Sequence, residues 1–129
     1  MALAAHKLPS IWWKRDLFNV LYGTMGMYLF NNRQWAEDKE RFAESYRITS
    51  PVARATGYSE MTDHHVLSAD RTVQESRFAD GTVVTVNFGD APFALPDGTS
   101  LPARFHRVRL GHGTAEGARG ASGCSLRDR

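Results

Sequence analysis

A chain of 129 residues with a net charge of +2 holds one modest domain or a piece of a larger protein. Its 42% hydrophobic, 23% charged and 11% aromatic residues exclude general disorder, and no apolar run approaches the roughly 18 residues of a membrane-spanning helix. A single cysteine, Cys124, excludes an internal disulfide framework and a Cys-based zinc cage, and the chain falls short of the about 250 residues of a complete (β/α)8 barrel.

The opening Met1-Ala-Leu-Ala-Ala-His-Lys7 turns polar too quickly for a secretory signal. Pro9 and Ser10 start a first helix over residues 10–22, and Gly23 stops it. Its apolar residues, Trp12, Trp13, Leu17, Phe18, Val20, Leu21 and Tyr22 among them, leave a narrow polar wedge of Lys14, Arg15, Asp16 and Asn19. A helix so apolar expects neighbours on most sides, and these are expected to lie outside this chain. A glycine-broken connector, Tyr22 to Phe30, leads to a second helix capped by Asn31 or Asn32. Trp35, Phe42, Ala43 and Tyr46 form one stripe on it, and Glu37 and Arg41 make an i,i+4 pair. Ser50-Pro51 is expected to stop this helix, with a short helical turn over 52–56 before Gly57.

From Tyr58 the periodicity changes from helical to two-residue alternation. Val73-Gln-Glu-Ser-Arg-Phe78, Ala79-Asp80-Gly81 and Thr82-Val-Val-Thr-Val-Asn-Phe88 read as a hairpin, closed by a two-residue turn or by a type I turn with Gly81 as a bulge. Val84, Val86 and Phe88 share its inward face. Further strands are expected at 65–68, around 92–95 and at 105–110, with Asp97-Gly98 a second tight turn. After Leu110 the chain is glycine-rich, and Leu126 is its one sizeable apolar group, so residues 111–129 are expected to be disordered. Residues 104–129 carry six arginines against two acids, while residues 1–103 carry ten basic against twelve acidic residues. The fold class is α+β: a helical segment of two helices over 1–57, an antiparallel β-sandwich-like domain over 58–110, and the tail.

Asp63-His64-His65, with Glu60 and Asp70 nearby, is the densest ligand-capable cluster. Adjacent histidines on a strand point to opposite faces, so a structural role at the helix-to-sheet junction is expected rather than a shared metal. Met61 beside them reads as core filler. Glycosidase chemistry needs two rigidly held carboxylates about 5–10 Å apart, and nothing singles out a pair among Glu60, Asp63 and Asp70. Nucleophilic catalysis has no support: there is no Gly-x-Ser-x-Gly elbow, and Cys124 lies in the tail. Gly111-His-Gly113 and Gly23-Thr-Met-Gly26 lack the context of a phosphate loop, and Trp12-Trp13-Lys14-Arg15 reads as core. No catalytic, substrate-binding or metal residue is assigned, and no cofactor is expected.

Trp13-Lys-Arg-Asp-Leu-Phe-Asn-Val-Leu-Tyr-Gly-Thr24, then Ser50-Pro-Val-Ala-Arg-Ala-Thr-Gly-Tyr-Ser-Glu-Met-Thr-Asp-His64, then Phe78-Ala-Asp-Gly-Thr-Val-Val-Thr-Val-Asn-Phe-Gly-Asp90 follow one another in order. Over residues 8–110 this order resembles the C-terminal end of bacterial glycoside hydrolases related to families 101 and 129, which act on α-linked N-acetylgalactosamine. Met25-Gly26-Met27 stands where prolines are expected, and nothing beyond Leu110 resembles the family. The resemblance implies that the first helix closes a catalytic barrel, that a β-sandwich packs on it, and that the catalytic carboxylates lie upstream. The expected function is that of a C-terminal glycoside hydrolase fragment without the chemistry, with carbohydrate as its partner through the missing barrel. Neither nucleic acid nor a membrane is expected as a partner. The alternative is a non-catalytic carbohydrate-binding or interaction module whose aromatics form a sugar platform.

Overall fold

The structure, a computed structural model, describes residues 9–111 and 113–118. Helices α1 (Pro9–Tyr22) and α2 (Asn32–Thr56) precede seven strands. These are β1 (Met61–Val66), β2 (Val73–Phe78), β3 (Val83–Asn87), β4 (Phe93–Ala94), β5 (Ser100–Leu101), β6 (Phe105–Leu110) and β7 (Gly113–Ala118). Strands β1-β2-β3-β6-β7 form an antiparallel sheet in that order, and β4 pairs with β5 in a second, two-stranded sheet. The α+β class, helices first and antiparallel sheet after, is therefore the architecture observed.

Asn31 is the residue that caps α2: its side chain accepts from the Gln34 backbone N–H at 2.9 Å while Gln34 reaches back to the Asn31 N–H at 3.0 Å. The helix does not stop at Ser50-Pro51. It runs unbroken to Thr56, because Phe42, Ser45, Ile48, Thr49, Val52 and Thr56 all bury against the rest of the molecule, which outweighs one lost backbone bond. The buried face of α2 also differs from the expected stripe. Phe42 is buried as expected, whereas Trp35 and Tyr46 are exposed. Glu37 pairs with Arg33 at 2.9 Å rather than with Arg41.

The two hairpin turns are copies of one solution. In each, an Asp-Gly-Thr sequence places glycine at positive φ, 88° at Gly81 and 84° at Gly98. The aspartate side chain accepts the threonine N–H two residues on, at 2.9 Å from Asp80 and 3.0 Å from Asp97. The bonds Gly81 N–H to Phe78 C=O and Phe78 N–H to Thr82 C=O close a three-residue loop; of the two turns left open by the sequence, it is the one with Gly81 as the bulge.

Strand register separates the faces of the large sheet. Ser76, Val84 and Val108 lie in one lateral row and Gln74, Val86 and His106 in another, both on the helix side. Glu75, Thr85 and Arg107 share a row on the opposite face, as do Arg77, Val83 and Arg109. The main core joins Trp13, Leu17, Val20 and Leu21 of α1, Ile48 and Val52 of α2, and Phe78, Val84, Val86 and Val108 of the sheet. Phe88 and Met61 pack on its edge, as their sequence positions suggest. The expectation that the partners of α1 lie outside this chain is thus corrected: its own sheet and α2 cover most of that surface. A second cluster, Val73, Leu95 and Leu101, seats the β4–β5 ribbon on the helix-free face. Asn87 clamps this ribbon, donating to the carbonyls of Ala91, Leu101 and Pro102 and accepting from the Gly89 N–H.

The expected tail is also corrected in part. Residues 113–118 form β7, paired with β6 from Phe105↔Ala118 to Leu110↔Gly113. The backbone N–H and C=O groups of the β6 edge accept any extended neighbour, so pairing there asks little of the side chains. Cys124 and the rest of that segment, residues 119–129, lie outside the described residues.

Candidate functional site

The histidine junction of β1 divides as its alternation requires. His64 stacks on Tyr22 of α1 at 5.7 Å and contacts Gln74 at 3.1 Å through Nε2. Its neighbour His65 pairs with Asp63 at 2.7 Å. The rings have separate partners, and no cluster of three potential ligands occurs among the described residues. Asp70 closes the β1–β2 loop by accepting from the Ser68 and Thr72 hydroxyls and the Thr72 N–H, which holds its carboxyl below the usual range. Glu60 contributes its backbone carbonyl to the Ala79 N–H. Asp63 and Asp70 are thus engaged in local structure.

The tryptophans do not form a platform. Trp13 is buried, and the Arg104 guanidinium covers its ring at 4.8 Å. Trp12 meets Phe42 edge-on at 5.1 Å, with Arg15 over its ring at 4.6 Å. Trp35 is exposed but stacks on Phe30 at 5.1 Å.

Between α1 and α2 lies a polar chain that sequence reading missed. Asp16, placed in the solvated wedge by its neighbours, is buried and accepts the Ser45 hydroxyl at 2.5 Å; Ser45 meets the Tyr28 hydroxyl at 2.7 Å. Asp16 and Ser45 lie 29 residues apart, so no local spacing announces the pair. It ties the connector to both helices.

Two surface features have the character of binding sites. The first is the connector and the groove beneath it. Met25, Met27 and Leu29 are 80%, 81% and 89% exposed, while Gly26 and Tyr28 between them are half-buried. That is strand-like alternation with the apolar face turned outward. The groove, about 750 Å³, is lined by Tyr28, Tyr46, Thr49, Arg54 and Tyr58 with the connector as its rim. Arg54 donates to the Tyr46 hydroxyl at 3.3 Å, and Ser50 and Arg54 together lower the Tyr46 pKa.

The second is a smaller groove of about 180 Å³ on the helix-free sheet face, bounded by the β4–β5 turn. Val83, Leu67 and Leu95 supply apolar surface, with Arg77, Arg107, Arg109, Glu75 and Asp97 around it. Glu75 holds Arg77 at 3.0 Å and accepts from Thr85 at 3.3 Å. Asp97 holds Arg107 at 2.9 Å. Hydrogen bonds from Thr99, aided by Arg107, bring the Asp97 pKa down to about 2. The alternation of Arg107 and Arg109 with His106 and Val108 was the available signal for this face, hidden because strand pairing decides which arginines become neighbours.

Comparison with protein-family models finds no match, and comparison with curated proteins likewise finds none.

Proposed function

We propose that this chain is the C-terminal, non-catalytic part of a carbohydrate-degrading glycoside hydrolase, acting as scaffold beside a catalytic barrel, with an α-N-acetylgalactosaminide as the substrate class. The observation that carries the reading is the outward face of the connector. Met25, Met27 and Leu29 stand in water on an extended segment that Tyr28 and Ser45 hold in place from below. Full burial of such side chains stabilises by roughly 1.5–3 kcal/mol each, so the strip favours a covering surface. The ordered resemblance of residues 13–24, 50–64 and 78–90 to the end of such enzymes supports a catalytic barrel as that covering surface. Asp63 and Asp70 are spent on turns and ion pairs, in keeping with a part that carries no chemistry.

Reading the genomic DNA immediately upstream tests this. A barrel-encoding stretch with two carboxylates at strand ends, in frame or displaced by one or two bases, is expected; its absence refutes the proposal. The chain alone is expected to leave aryl α-N-acetylgalactosaminides intact, and enzyme-like turnover would contradict the scaffold role. The second reading, a carbohydrate-binding module, is favoured by the tyrosines lining the connector groove. Calorimetry with N-acetylgalactosamine glycans separates the two, since only a binding module gives saturable heat.

A further inference from the structure

We infer that the groove on the helix-free face of the sheet binds a carboxylate-bearing saccharide, a uronic acid, through Arg109. Lateral pairing places Arg77 on β2 and Arg109 on β6 on either side of Val83, two strand spacings apart, roughly 10 Å between backbones. Arg107 and Thr85 stand in the next row, and Leu95 and Pro96 wall the far side.

Charge accounting singles out one arginine. Glu75 is occupied by Arg77 and Thr85, and Asp97 by Arg107 and Thr99. Arg109 lines the same groove with no acceptor among the described residues. Among the described side chains the groove therefore carries three guanidinium groups against two carboxylates, and the unmatched donors are planar and forked. A planar carboxylate is the anion that geometry fits best. The interior, about 180 Å³, is on the scale of one sugar ring rather than a chain. Its apolar floor of Val83, Leu67 and Leu95 suits the C–H face of a pyranose, while the rim suits hydroxyls and the acid. That the carboxylate is borne by a sugar rests on the carbohydrate reading above; the anion site itself does not.

The test titrates the full chain with methyl glucuronide, methyl glucoside and acetate, following backbone amide shifts in β2, β3 and β6. Saturable millimolar binding of the glucuronide is expected, at least about tenfold tighter than either control. Arg109→Gln, at an exposed position, keeps the fold by circular dichroism and weakens glucuronide binding by about tenfold or more. Added salt should weaken binding in the parent and have less effect in the variant. No saturable shift, an Arg109→Gln affinity equal to the parent's, or glucoside binding as tightly would each overturn the inference. Acetate binding as tightly as glucuronide would overturn the saccharide assignment. None of these outcomes bears on the upstream reading frame, so a failure here is distinguishable from failure of the hydrolase proposal.

Discussion

His106 offers the sharpest quantitative test of the core. It stands on the helix-facing side of β6 beside Val86, is 4% exposed, and its Nδ1 has no hydrogen-bond partner among the described residues. Burial disfavours the imidazolium and pushes the pKa from 6.5 down to about 4. The unfolded chain binds its proton near pH 6.5, whereas the folded chain resists until about pH 4. Stability is therefore whole above pH 6.5, falls as the pH drops through that window, and levels off below about 4. At 1.36 kcal/mol per tenfold change, the loss by pH 4 is about 3 kcal/mol, a large share of the 5–15 kcal/mol a domain possesses. Urea unfolding at pH 7, 6, 5 and 4 should show the midpoint falling by about 1–3 M, given slopes of about 1–3 kcal/mol per M. Asp97 and Asp70, both with lowered pKa values, lose their contributions only at lower pH and so stay separate from this window. His106→Leu removes both the titration and the orphaned nitrogen, and its urea midpoint should be nearly flat over the same range. A variant that loses stability as steeply as the parent between pH 6.5 and 4 would refute the assignment, as would a His106 ring titrating near 6.5 by NMR.

Three further outcomes follow from the packing. Asp16→Ala should cost about 1–3 kcal/mol in chemical denaturation, because it strips the buried Ser45 hydroxyl of its acceptor; a neutral result would mean that the buried polar chain contributes nothing net. Gly23→Ala should destabilise by about 2 kcal/mol, since φ is 64° and the added Cβ would sit 2.5 Å from Thr56 Oγ1; pairing it with Thr56→Ala should recover part of the loss. Asn87→Ala should release the β4–β5 ribbon, costing about 1–3 kcal/mol. Hydrogen exchange would read it as faster exchange at Leu95 and Gly98, whose N–H groups close that turn.

Local rules carried the β region far. Asp80-Gly81-Thr82 and Asp97-Gly98-Thr99 specify their turns through a side-chain acceptor and a glycine at positive φ, interactions complete within four residues. The alternation of Val84 and Val86 likewise named the buried face before any partner strand was known. The same locality made the Ser50-Pro51 inference fail. Proline's preference against helix is a fixed local penalty, and the burial of Ile48, Val52 and Thr56 on a surface built from distant residues exceeded it. The candidate sites were less legible than the fold. Arg77 and Arg109 are 32 positions apart in sequence, and only the β2-β3-β6 register sets them around Val83.

By itself the sequence determined the order of helices before antiparallel strands, the β2–β3 hairpin with its inward face, and β6, because each depends on neighbours a few positions away. Tertiary structure alone decided that the chain covers most of α1 with its own sheet, that Asp16 is buried, and that Met25, Met27 and Leu29 face outward. Those outcomes depend on which surfaces meet across the chain, and burial is a property of the meeting rather than of the residue.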